Sequence, residues 1–179
     1  AIGGLIGGPL GQNTMTGLSG GVPSIIYAGR CYQTVTEVKQ TLVNGTYYDM
    51  PRTVWQCYDL RTGEIYWEQT GINAPPTAID YVKSGEVVPG ASNSQVGTGA
   101  ALVAISSGRL LKYNPYTGAV TLNISIAPIT TGTIYNDPYV LSIQTLGATY
   151  RLINWTIAGS DTNFTNRIMN NVSYPFSAL

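Results

Sequence analysis

The chain has 179 residues, room for one ordinary domain or two small ones. Nine Lys and Arg balance nine Asp and Glu, and 10% of residues are charged, against about 25% in soluble proteins generally. That leaves no basic footprint for nucleic acid and no polybasic pull toward an anionic membrane, and the lack of His excludes Ser-His-Asp and Cys-His catalysis within the chain.

Residues 1–22 are Gly-rich (Gly3, Gly4, Gly7, Gly8, Gly11, Gly17, Gly20, Gly21) and read as an irregular N-terminal arm, able to lie along a neighbour's sheet edge. No strand precedes these glycines and no βαβ pattern surrounds them, so they do not form a dinucleotide fingerprint. Residues 23–179 read as one β-domain. Ser24 to Tyr27 and Cys31 to Val35 are short strands split by a turn at Ala28-Gly29-Arg30. Residues 36–52 read as a longer excursion around an Asn44-Gly45 turn, with room for a helical turn from Glu37 to Leu42. Thr53 to Asp59 and Glu64 to Gln69 are strands, with Ile65 and Trp67 sharing the buried face of the second. After a loop-rich stretch around a modest strand from Thr77 to Val82, Leu102 to Ile105, Arg109 to Tyr113 and Ala119 to Ile126 form the clearest set. In the last of these, Val120, Leu122, Ile124 and Ile126 alternate with polar or small residues. Tyr139 to Ile143 and Tyr150 to Ile157 begin a third set, with one closing strand expected near Arg167-Ile168-Met169. No apolar run approaches the roughly 20 residues that span a bilayer.

Two hairpins share a signature: Asp59-Leu60-Arg61-Thr62-Gly63 followed by Trp67, and Asn114-Pro115-Tyr116-Thr117-Gly118 followed by Leu122. An Asp or Asn folds its side chain onto backbone N–H groups two residues on, and the Gly supplies the positive φ of a bulged hairpin. The large apolar side chain four positions past the Gly is expected to dock on the sheet. The third set lacks Thr-Gly.

The Asp-x-x-Thr-Gly-x-x-x-Trp run resembles the blade signature of PQQ-type β-propellers, the quinoprotein-like repeat family, and the surrounding segments look like secreted archaeal proteins with such repeats. The resemblance implies an all-β fold of antiparallel, blade-like sheets: a partial β-propeller of about three blades. Propellers close with about four to eight, so completion by a neighbouring subunit is expected. In this family some members are quinone-dependent dehydrogenases and others are non-catalytic scaffolds. The enzymes grip a calcium-bound quinone with acidic and aromatic residues, often with vicinal cysteines. No Cys-Cys pair is present here and the few acids sit at turns or on polar strand faces, so no enzyme and no cofactor is expected.

Cys31 and Cys57 are the only cysteines, too few soft ligands for a zinc site. They read as two buried thiols or one disulfide. Antiparallel pairing of their strands brings them near each other and favours the disulfide, and with it an oxidising compartment. Five N-x-S/T sequons, at Asn44, Asn123, Asn154, Asn163 and Asn171, exceed the roughly two expected by chance. N-linked glycans would supply the solubility that charge does not. The resulting expectation is an extracellular or cell-surface glycoprotein with structural turns at Asp59, Thr62, Gly63, Trp67, Asn114, Thr117 and Gly118. It would self-associate into a filament or lattice through sheet edges or the N-terminal arm. A non-catalytic binding scaffold, part of a larger secreted propeller, is the alternative. A carbohydrate-binding face of Trp55, Tyr47 and Tyr48 is a further reading.

Overall fold

The computed structural model describes residues 23–72, 74–81 and 99–174. The arm at 1–22 lies outside them, as does Val82. The chain divides into two compact units between Pro75 and Pro76. Among the described residues the protein is all-β, with no α-helix and a single-turn 3-10 helix at Phe164–Arg167.

The first unit holds one sheet: β1 (Ile25–Tyr27), β2 (Arg30–Val43), β3 (Thr46–Asp59) and β4 (Ile65–Thr70). The second holds two. One contains β5 (Ala78–Tyr81), β6 (Ala100–Ser106), β7 (Arg109–Tyr113) and β8 (Val120–Ser125). The other contains β9 (Thr133–Asn136), β10 (Tyr139–Leu146), β11 (Thr149–Thr156) and β12 (Ile168–Tyr174). Each sheet is a four-stranded antiparallel meander whose spatial order follows the chain. That connectivity is blade-like. None of the three closes into a barrel.

In the second unit, alternation decides which side chains are buried. On β8, Leu122 and Ile124 turn inward while Thr121, Asn123 and Ser125 stay exposed. Leu122 and Ile124 pack with Val103, Leu110, Val140, Ile153, Trp155 and the connecting Ile126, Ile129, Ile157 and Phe164 in a core shared by both sheets. The Trp155 indole N–H, deep in that core, donates to the Ser142 hydroxyl at 2.9 Å. Phe164 meets the Trp155 ring edge-on at 5.2 Å.

In the first unit the register pairs Tyr32 with Cys57 and Cys57 with Trp67, placing these three and Trp55 on one face. The Trp55 and Trp67 rings meet edge-on at 4.7 Å, and Tyr32 lies 6.0 Å from Trp67. Ile65, expected beside Trp67 on the buried face, is 52% exposed, because it opens the outer strand next to the turn and the register shifts there.

Residues 36–52 depart from the expected excursion. They form the far end of a hairpin in which β2 and β3, each 14 residues long, pair without a break from Arg30↔Asp59 to Val43↔Thr46. Alternating Thr and Val outweigh the short helical hint at Glu37 to Leu42. Asn44 and Gly45 close the hairpin with φ of 49° and 82°, the two positive values of a type I′ turn.

Candidate functional site

Three features are candidates for a site: the sheet corners, the sequons and the projecting hairpin. The first two corners are superimposable in chemistry. Asp59 Oδ1 accepts from the N–H of Arg61 and Thr62 at 2.8 and 2.7 Å. Asn114 Oδ1 accepts from Tyr116 and Thr117 at 2.8 and 3.2 Å. The Thr62 and Thr117 hydroxyls each accept from the N–H two residues on, and Gly63 and Gly118 both sit at φ 71°. Gly63 N–H donates to Asp59 O, and Gly118 N–H to Asn114 O. In both sheets the ladder slips by a bulge next to the corner, and Trp67 and Leu122 pair with Cys57 and Lys112 at matching positions.

One difference is electrostatic. Asp59 is a carboxylate whose Oδ2 also accepts from the Tyr66 hydroxyl at 2.8 Å. The Thr62 N–H, then the Tyr66 hydroxyl and the Arg61 N–H, hold its pKa down to about 2. The Arg30 guanidinium stacks over the Tyr66 ring at 3.9 Å.

The third corner, between β11 and β12, has no Thr-Gly. Arg167, fully buried, holds it from within: its Nε and Nη2 donate to Asp161 O at 2.9 and 2.7 Å, and Nη2 also reaches Gly159 O at 3.0 Å. Its Nη1 donates to Ala158 O at 2.7 Å and to Thr156 O at 3.3 Å. Gly159 O receives a further bond from Lys112 Nζ at 2.9 Å, and that ammonium also pairs with Asp80 Oδ2 at 2.6 Å. Burial pulls the Lys112 pKa down from its ordinary value, more than the Asp80 carboxylate raises it. Arg167 and Lys112 thus satisfy the loop carbonyls of Ala158, Gly159 and Asp161, and Arg167 also reaches Thr156 at the end of β11. Neither stood out in the sequence, where Arg167 reads as part of a closing strand and Lys112 as an ordinary strand residue.

The cysteines correct the disulfide expectation: both are free and buried. The pairing is as expected, but its register sets Cys31 opposite Tyr58 and Cys57 opposite Tyr32. An offset of one residue turns the two thiols to opposite faces of the sheet. Burial pushes the Cys57 thiol up, against the Arg30 guanidinium whose Nη1 lies 3.9 Å from Sγ. The Trp55 face is corrected too. Trp55 is 1% exposed and belongs to the aromatic core, whereas Tyr47 and Tyr48 are exposed at 68% and 54%.

Four sequon asparagines, Asn44, Asn123, Asn163 and Asn171, are exposed. Asn44 is in the hairpin turn, and Asn163 caps the 3-10 helix by accepting from Thr165 N–H at 3.0 Å. Asn123 Oδ1 accepts from Arg109 Nε at 2.6 Å. Such bonds use the amide oxygen and leave the nitrogen, the point of sugar attachment. Asn154 is half-buried, and its sequon hydroxyl, on fully buried Thr156, accepts from Ala158 N–H.

The β2–β3 hairpin runs past the rest of its sheet. β1 pairs with β2 only from Arg30 to Tyr32, and β4 with β3 only from Val54 to Tyr58. From Gln33 to Val43 and from Thr46 to Thr53 the two strands pair only with each other among the described residues. Val38, Leu42, Val43, Tyr47, Tyr48 and Met50 are exposed along it. Glu37 and Arg52 form a cross-strand ion pair.

Among the described residues no three His, Cys, Asp or Glu side chains gather as a metal site, and no helix is long and apolar enough to cross a membrane. No known family model and no curated protein matches the chain.

Proposed function

We propose that this chain is a secreted, N-glycosylated structural protein that self-assembles at an extracellular surface into a filament or lattice. One observation carries the reading: the two-stranded ribbon that β2 and β3 extend beyond their sheet. An isolated two-stranded ribbon is marginal in water, and stability comes with a third strand or a covered apolar face. Among the described residues neither of its edges meets a third strand, and it carries six exposed large apolar side chains, features that proteins otherwise blunt to avoid association. The accessible sequons and the charge-poor composition support an extracellular setting, with sugar as the hydrated layer.

Electron microscopy and sedimentation of glycosylated material test this. Filaments, sheets or discrete oligomers are expected, together with a mass loss on enzymatic deglycosylation. A monomer at every concentration, bare of sugar, overturns it.

A second reading has its own support: a non-catalytic binding scaffold within a larger PQQ-like propeller. Three blade-like meanders, two of them closed by the same Asx-x-x-Thr-Gly corner, favour it. A reading frame that continues into further Thr-Gly repeats decides for it.

A further inference from the structure

The two edges of the projecting ribbon are not equivalent. Tyr32 O accepts from Ser24 N–H, so the Tyr32 backbone points away from β3. The β2–β3 ladder is unbroken. Every second residue beyond Tyr32 therefore also directs its N–H and C=O outward: Thr34, Thr36, Val38, Gln40 and Leu42. On β3 the outward residues are their partners Leu42↔Tyr47, Gln40↔Asp49, Val38↔Pro51 and Thr36↔Thr53. Pro51 has no N–H, so it costs the hairpin nothing and breaks the outer ladder of β3 at its middle. The β2 edge contains no Pro or Gly from Gln33 to Val43 and is rich in Thr and Val. Among the described residues one edge is guarded and the other is open beyond Tyr32.

The open edge is also self-complementary. Its five outward residues are symmetric about Val38, so a second β2 strand laid antiparallel uses all of them at once. Val38 then pairs with Val38 of the second copy, Thr36 with Gln40, and Thr34 with Leu42. About ten backbone hydrogen bonds result, two for each outward pair. Each marginal ribbon becomes half of a four-stranded sheet.

We propose that β2 is a homodimerisation edge, joining two copies antiparallel about a two-fold axis at Val38. This rests on the self-assembly reading and specifies its joint. A two-fold contact closes on itself, so it makes pairs, and a filament propagates through a second surface.

The test uses the full chain. Val38→Cys should form a disulfide-linked dimer under mild oxidation, because paired Cα atoms in such a ladder lie about 5.5 Å apart, within disulfide range. Thr36→Cys, whose own copy lies two pairs away, should not. Val38→Pro removes only an outward N–H and should weaken dimerisation in sedimentation about tenfold or more. Asp49→Pro, on the edge already broken, should leave it unchanged, with circular dichroism reporting the fold of both. Equal cross-linking of Val38→Cys and Thr36→Cys, or none, overturns the register. Wild-type association of folded Val38→Pro overturns the edge while leaving assembly through another surface standing. A wild-type protein that never associates overturns both readings.

Discussion

The corners at Asp59–Gly63 and Thr156–Arg167 solve one problem in two ways. Each must satisfy backbone groups where an inner strand hands over to an outer one. The first does it with neighbours in the chain: one Asx side chain, one Thr hydroxyl and a Gly at positive φ. The second does it with one long cation reaching back across the loop, aided by Lys112 from another sheet. A local solution is portable, and it recurs intact at Asn114–Gly118. The reach-back solution depends on the surrounding packing, since a buried guanidinium is tolerable only when its donors are filled.

Substitutions sharpen that contrast. The largest expected effect is at Lys112. Lys112→Met leaves the Asp80 carboxylate buried without its cation and should cost about 3–5 kcal/mol in denaturant unfolding. Arg167→Met removes the guanidinium bonds to four carbonyls, of which Gly159 O keeps its Lys112 donor, and should cost on the order of 3 kcal/mol, with Arg167→Lys rescuing little because an ammonium lacks the planar fork. Equal losses for Arg167→Met and for a corner residue would end the distinction between the two solutions. Gly118→Ala should cost about 1–2 kcal/mol, the penalty of a left-handed Ala, since φ there is 71°. Asn114→Ala, losing two neutral hydrogen bonds, should cost about 1 kcal/mol by the same measurement.

The smallest effect separates the two local corners from each other. The Asp59 pKa lies below the ordinary carboxylate value, at about 2. Its contribution is present above the unfolded-state pKa of about 3.9 and is lost as the pH falls toward 2. Asp59→Asn should therefore flatten the acid limb of the stability profile between about pH 4 and pH 2, and Asn114→Asp should steepen it. Asp161, also depressed, first by the Asn163 N–H, keeps a residual slope in both variants. An unchanged profile in both swaps would mean that the carboxylate adds nothing beyond the amide.

Much of the fold was legible because the information was local. Alternation on β8 placed Leu122 and Ile124 inward and Asn123 outward, and Asn44-Gly45 marked the hairpin turn. Pairing of the Cys31 and Cys57 strands was also legible, but not its parity, and a shift of one residue separates a disulfide from two thiols on opposite faces. Trp55 read as part of an exposed face with Tyr47 and Tyr48, whereas the register sets it beside Tyr32 and Trp67. The extent of the hairpin was hidden as well. Thr and Val allow a strand, but continuous pairing across 14 residues is a property of two segments together.

The amino-acid order alone determined most strands outside residues 36–52 and 133–136, the two Asx-Thr-Gly corners and the sequons, because each is set by period-two patterning or by contacts within a few residues. Only the tertiary structure decided the register, the fate of the cysteines, the cations that staple the third corner and, among the described residues, the stretch of β2 that pairs on one side alone. Those depend on which residues meet across the sheet and on which backbone groups find no partner.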